Sequence, residues 1–169
     1  MTSDEPARDD LPEGPLPPAA KPERPRDEAG RPLAWDAPTR LHLPNFDAMT
    51  LDECHAEAIR LFDAGNYFGA HEAWETCWAF AKGTDEEEFF KGLAQLGAGY
   101  THWLRGNAHG VVALLGRALA RIDSHGATHR ELDVAAFAAR LEDLRDQAGV
   151  CERDGAPLPE MERRPVPQT

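Results

Sequence analysis

Between Asn45 and Ala156 the chain contains no proline. All 14 prolines of the 169 residues lie outside that stretch, ten in residues 1–44 and four in residues 157–167. A proline inside a helix costs roughly 3 kcal/mol, because it lacks an N–H and its ring strikes the preceding turn. The proline-free middle therefore admits long helices, and no part of it alternates like a strand. The flanks behave differently. Residues 1–46 are crowded with Pro, Glu, Asp and Arg, bury little, and read as a disordered leader. Within that leader GRPLAW, Gly30 to Trp35, is the exception, since Leu33 and Trp35 offer apolar groups that dock on a folded neighbour. The expected organisation is a leader over 1–46, a helical domain over 47–149 and a flexible tail over 150–169.

Five helices follow from caps and periodicity. The first opens at TLDE, a capping box with Thr50 as N-cap and Glu53 three residues on, and ends near Ala64-Gly65. The second runs from about Tyr67 to Lys82. The third opens at TDEE, with Thr84 and Glu87 as a second capping box, and ends near Arg105-Gly106. The acidic run Asp85–Glu88 complements the positive end of that helix. The fourth spans about Ala108 to Asp123, and the fifth about Asp133 to Ala148, with Val134, Phe137, Leu141 and Leu144 on one face. GNYFGA at Gly65 echoes GNAHGV at Gly106, 41 residues later, and each Gly-Asn closes one helix and opens the next. The expected fold is all-α: a compact bundle of about five helices, two helical hairpins and a closing helix, loosely like a tetratricopeptide pair.

Charge and cysteines narrow the function classes. The formal charge is -12, which argues against nucleic acid, whose phosphates need a Lys/Arg surface, and against anionic membranes. No run approaches the roughly 18 apolar residues of a membrane span. Cys54, Cys77 and Cys151 form no CxxC and no even set, and the acidic N-terminus lacks the apolar core of a secretory signal. The expectation is a cytoplasmic protein with reduced thiols.

The chemistry gathers in GAHEAWETCW, Gly69 to Trp78. On a helical wheel Tyr67, Trp74 and Trp78 fall within about 40° of one another and His71 about 20° from Trp78. Glu75 follows His71 one turn later on the same side, while Glu72 points further outward. A half-buried carboxylate needs a partner. An i, i+4 His/Glu pair presents two ligands to one ion, and a transition metal wants at least three. On the next helix Gln95 and His102 lie about 20° apart on the wheel. If that line faces His71 and Glu75, the four side chains form one cluster, either a metal site for zinc or manganese or a self-satisfied hydrogen-bond network. Glu72 is then the general-base candidate, and Trp74 and Trp78 flank any bound group. Core packing is the competing role for both tryptophans. Arg117 and Arg121 read as a solvated face, and His109, His125 and His129 carry no pattern. HExxH, GxSxG, Walker and GxGxxG motifs are absent.

His71, Glu75 and Trp78 spell HxxxExxW, and the block GLAQLGAGYTHWLRGNAHGVVALL follows it. Together they resemble the bacterial and archaeal "domain of unknown function 309" family over about residues 50–124. RPRDEAGRPL, Arg24 to Leu33, resembles the leader of actinobacterial members. The resemblance implies a small all-helical, functionally uncharacterised protein whose HxxxExx(W/Y) motif is suggested to bind metal. Trp74 departs from the smaller aliphatic residue common in close relatives, and its bulk narrows any cavity beside His71. Two functions remain open at this point. One is a metal- or small-ligand-binding protein, with a metal-dependent hydrolase in its range. The other is a helical interaction module, with a protein partner or a second copy in a groove and the His/Glu cluster purely structural. A site requires a concave cavity at His71, whereas a module requires a sealed cluster.

Overall fold

The computed structural model describes residues 23–28 and 30–169, so what the sequence suggests for residues 1–22 lies outside the described residues. The elements are α1 (Leu51–Asp63), α2 (Tyr67–Ala81), α3 (Glu87–Leu104), α4 (Ala108–Ile122), β1 (Thr128–His129), β2 (Leu132–Asp133) and α5 (Val134–Asp154). Each helix packs on its successor, α1 on α2, α2 on α3 and α3 on α4, with α5 closing on α4. The fold is thus the expected all-α pair of hairpins with a closing helix. The two-residue antiparallel strands are a small addition, joined by Arg130 and Glu131, both at positive φ.

The caps explain the helix starts. Thr50 accepts from the Glu53 N–H while the Glu53 carboxylate accepts from the Thr50 N–H, the full capping box. The echoed Gly-Asn pairs use one device twice: Asn66 accepts from Gly69 N–H and Asn107 from Gly110 N–H. The second expected box is corrected. α3 begins at Glu87, and Glu87 reaches back to the Gly83 N–H at 2.9 Å, while the Thr84 hydroxyl donates to Ala81 O at 2.6 Å. α5 also runs a turn and a half beyond Ala148 and stops at Gly155, in the left-handed conformation.

The core is an aromatic cluster. Phe62 of α1 lies 4.9 Å from Tyr67, 5.9 Å from Trp74, 4.7 Å from Tyr100 and 5.8 Å from Phe137, ring centre to ring centre. One side chain thereby ties α1 to α2, α3 and α5. The segment after α5 returns over the bundle. Trp103 donates to Pro159 O at 2.9 Å, Val166 is buried, and its N–H donates to Asp63 at 2.7 Å.

Residues 23–46 lie against α2 and the end of α3. Asp27 is buried and accepts from the Arg31 N–H at 2.8 Å and from Arg31 Nε at 2.6 Å, which closes a short loop. Gly30 sits at the tip with φ +73 against the Phe68 ring, where a Cβ would meet Phe68 Cγ at 2.3 Å. Only glycine fits there on both counts. Gly30 O accepts from Arg26 at 2.7 Å and from Arg105 at 2.9 Å, fastening the loop to α3. Trp35 does not dock as GRPLAW suggested: it is 63% exposed, with the Arg24 guanidinium 5.7 Å above its ring.

His55 of α1 is a core histidine. The Trp74 indole N–H, which can only donate, gives its proton to His55 Nδ1 at 3.1 Å, so the imidazole proton sits on Nε2. Burial, then the neighbouring Arg130, pushes the His55 pKa from 6.5 down to about 4, against the opposing pull of Glu86 and Asp52. Between those values the unfolded chain binds a proton that the folded protein refuses. Stability is therefore complete above about pH 6.5 and falls as the pH drops toward 4, by up to about 3 kcal/mol. Urea melts at about pH 7 and about pH 4.5 should show this loss in the wild type and a much smaller one in His55→Gln. An equal slope in both proteins would assign the acid sensitivity to other groups.

Candidate metal centre on the second helix

α2 approaches α3 closely where His71 faces Gly97. A Cβ on Gly97 would come within 2.9 Å of His71 Cα and N, so the contact depends on the missing side chain. The close approach lets His71 Nδ1 reach Ala94 O at 2.8 Å. A carbonyl only accepts, so Nδ1 carries the proton and neutral His71 holds its lone pair on Nε2. That lone pair faces two carboxylates. Nε2 is 3.6 Å from Glu75 Oε1 and 3.8 Å from Glu72 Oε1. Neither distance is a hydrogen bond. One atom from each of the three residues lies within 4.8 Å of the others, close enough for a single cation between them. Glu72 titrates above the ordinary carboxylate range because it is desolvated, although His71 and Arg26 pull the other way.

The other expected members are placed differently. Gln95 turns to α4, where it accepts from Arg121 Nε at 3.1 Å, and Arg121 also pairs with Glu88. The wheel put Gln95 and His102 on one line, and the Gln95 end of that line faces α4. Gly92 packs against Ile122 and Gly99 against Leu115, so the glycines that admit α4 lie on the Gln95 side. Arg121, expected on a solvated face, is a half-buried tie between helices.

His102 does border the centre, lining with His71, Phe68, Ala98, Thr101 and Arg105 a cavity of about 100 Å³. Its Nδ1, however, accepts from Asn107 Nδ2 at 2.9 Å, an orientation fixed because Asn107 Oδ1 accepts from Gly110 N–H. The His102 proton is thus on Nε2, which makes it a neutral donor beside the site and not a ligand in this arrangement. Burial, then Arg105 and His71, holds its pKa below the usual histidine value.

Trp74 is fully buried in the core, and its polar atom is spent on His55. Trp78 is half-buried, with Lys91 Nζ 5.0 Å and Lys82 Nζ 5.9 Å from its ring centre.

A larger cavity of about 520 Å³ opens on the Glu72 side, between α2 and residues 23–43, lined in part by Arg24, Arg26, Phe68 and Glu72. The sequence reading missed this wall. The acid and base of Asp27 and Arg31, four residues apart, were the signal that the segment closes on itself.

Residues 55–114 match the family model described as Domain of unknown function (DUF309). That span runs from His55 of α1 into α4 and contains α2 and α3 whole, with every residue of the cluster. No curated protein and no solved structure matches the chain.

Proposed function

We propose that this protein, which belongs to the DUF309 family through residues 55–114, binds a divalent metal ion with His71, Glu75 and Glu72. The observation that carries the reading is the His71 tautomer. Ala94 O takes the Nδ1 proton, so in the neutral imidazole the lone pair lies on Nε2, 3.6 Å and 3.8 Å from two carboxylate oxygens. With the imidazole neutral and no ion bound, that arrangement sets a lone pair against negative charge. A cation converts it to three attractive contacts, and a backbone carbonyl on the far ring nitrogen is the usual second partner of a metal-bound histidine. One nitrogen and two carboxylates suit zinc or manganese.

Two further features support a site over a sealed structural network. Cavities flank the cluster on both sides, at Glu72 and at His102, so a ligand has access. Side chains of Glu72 and Glu75 are 39% and 49% exposed, which a self-satisfied buried network would not be. Three protein ligands leave coordination positions open, the arrangement that metal-assisted hydrolysis uses. In this reading His71, Glu72 and Glu75 hold the ion, and His102, which lines the same cavity as His71, is the candidate donor to a group bound there.

Elemental analysis of protein purified without chelator or histidine tag should find roughly one zinc or manganese ion per chain, and His71→Ala should reduce this to background. Equal metal in the two proteins would move the ion elsewhere on the chain.

A further inference from the structure

The loop at Arg24–Leu33 does more than cover α2. It brings Arg24 and Arg26 into the lining of the cavity that Glu72 also lines. Each is fixed from behind. Arg24 donates through Nε to Leu33 O at 2.7 Å and lies over Trp35, while Arg26 donates through Nη1 to Gly30 O at 2.7 Å and lies 5.3 Å above the Phe68 ring. These contacts use one N–H of each fork and hold the rest in place, which lowers the entropy lost on binding. Leu41, Leu43 and Phe68 add apolar surface to a lining that also holds Thr39 and His42. At about 520 Å³ the cavity has room for a small organic molecule.

We infer that this cavity binds a small organic anion, a phosphate or carboxylate headgroup on a flat apolar body, with the headgroup held by Arg24 and Arg26 beside the metal cluster. A guanidinium fork matches both headgroups, and Leu41, Leu43 and Phe68 offer apolar contact to the body. Charge decides when the anion binds. Without a cation, Glu23 and Glu72 oppose the two arginines and the lining is close to neutral. With a divalent ion on His71, Glu72 and Glu75, the Glu72 charge is neutralised and the field becomes positive. Anion binding is therefore metal-dependent, and this inference rests on the metal reading above.

The experiment titrates phenyl phosphate and benzoate into full-length protein by calorimetry, once with chelator and once with saturating zinc or manganese. Binding of either probe only in the metal-loaded protein, weakened at least tenfold in Arg24→Gln with zinc binding unchanged, is the expected result. The preferred probe identifies the headgroup. Arg26→Lys, which keeps the charge and loses the fork, should weaken binding as well, and it guards against a loop that fails to close in a harsher variant. Metal binding without any probe binding overturns the anion site and leaves the metal site standing. Probe binding equally strong in chelator overturns the metal dependence. Absence of metal binding in the wild type overturns the metal reading itself, and this inference with it.

Discussion

Replacing Phe62 by alanine is expected to lower the stability of the folded protein by about 3 to 5 kcal/mol. The residue is 1% exposed and its ring meets four others, from α2, α3 and α5. Tyr67, Trp74, Tyr100 and Phe137 are rigid plates, each already held by its own helix, so they cannot slide together to fill the space. The loss then includes both the transfer of the ring and the cavity left behind, and edge-on aromatic contacts add to it. Against a typical total of roughly 5 to 15 kcal/mol, this is a large fraction. In a chain of this size the melting temperature should fall on the order of 10 °C. Urea and thermal melts followed by circular dichroism measure it. A loss under about 1 kcal/mol would show that the four rings do collapse, and that Phe62 is not the joint between the helices.

The helices were legible in the sequence because their signals are local. Thr50 with Glu53, and the two Gly-Asn pairs, each act within one turn of chain. The end of α5 was less visible, because Gly149, right after Ala148, resembles a stop, yet it is not at positive φ and the helix passes through it. The helix continues until Gly155 supplies the left-handed residue. The same distinction divides the site. His71, Glu72 and Glu75 share one helix, so spacing alone brings them together. Gln95 and His102 depended on which neighbour α3 turns toward each face. α3 carries glycines on both flanks, Gly97 against α2 and Gly92 and Gly99 against α4, and the one-dimensional pattern does not say which flank meets which helix. The loop around Asp27 was hidden by composition. Its charges look solvated in sequence, yet Arg31 and Asp27 satisfy each other and Gly30 seats the turn on Phe68.

Glu75→Gln isolates the charge from the shape. The Glu75 side chain is 49% exposed, so the substitution should move the stability of the metal-free protein by no more than about 0.5 kcal/mol. Its effect on the metal should be much larger, since a neutral amide replaces one of two anionic ligands. Affinity is expected to fall well over tenfold. An ion present at about 100 times its dissociation constant stabilises the wild type by roughly 2.7 kcal/mol, and a tenfold weaker site gains only about half of that.

Thermal melts of wild type and Glu75→Gln, each with chelator and with saturating zinc or manganese, test the metal centre most directly. The account predicts equal melting temperatures in chelator, a rise of several degrees in metal for the wild type, and a rise no more than about half as large for Glu75→Gln. A wild type whose melting temperature ignores both chelator and metal, or a Glu75→Gln protein that gains as much as the wild type, would contradict it.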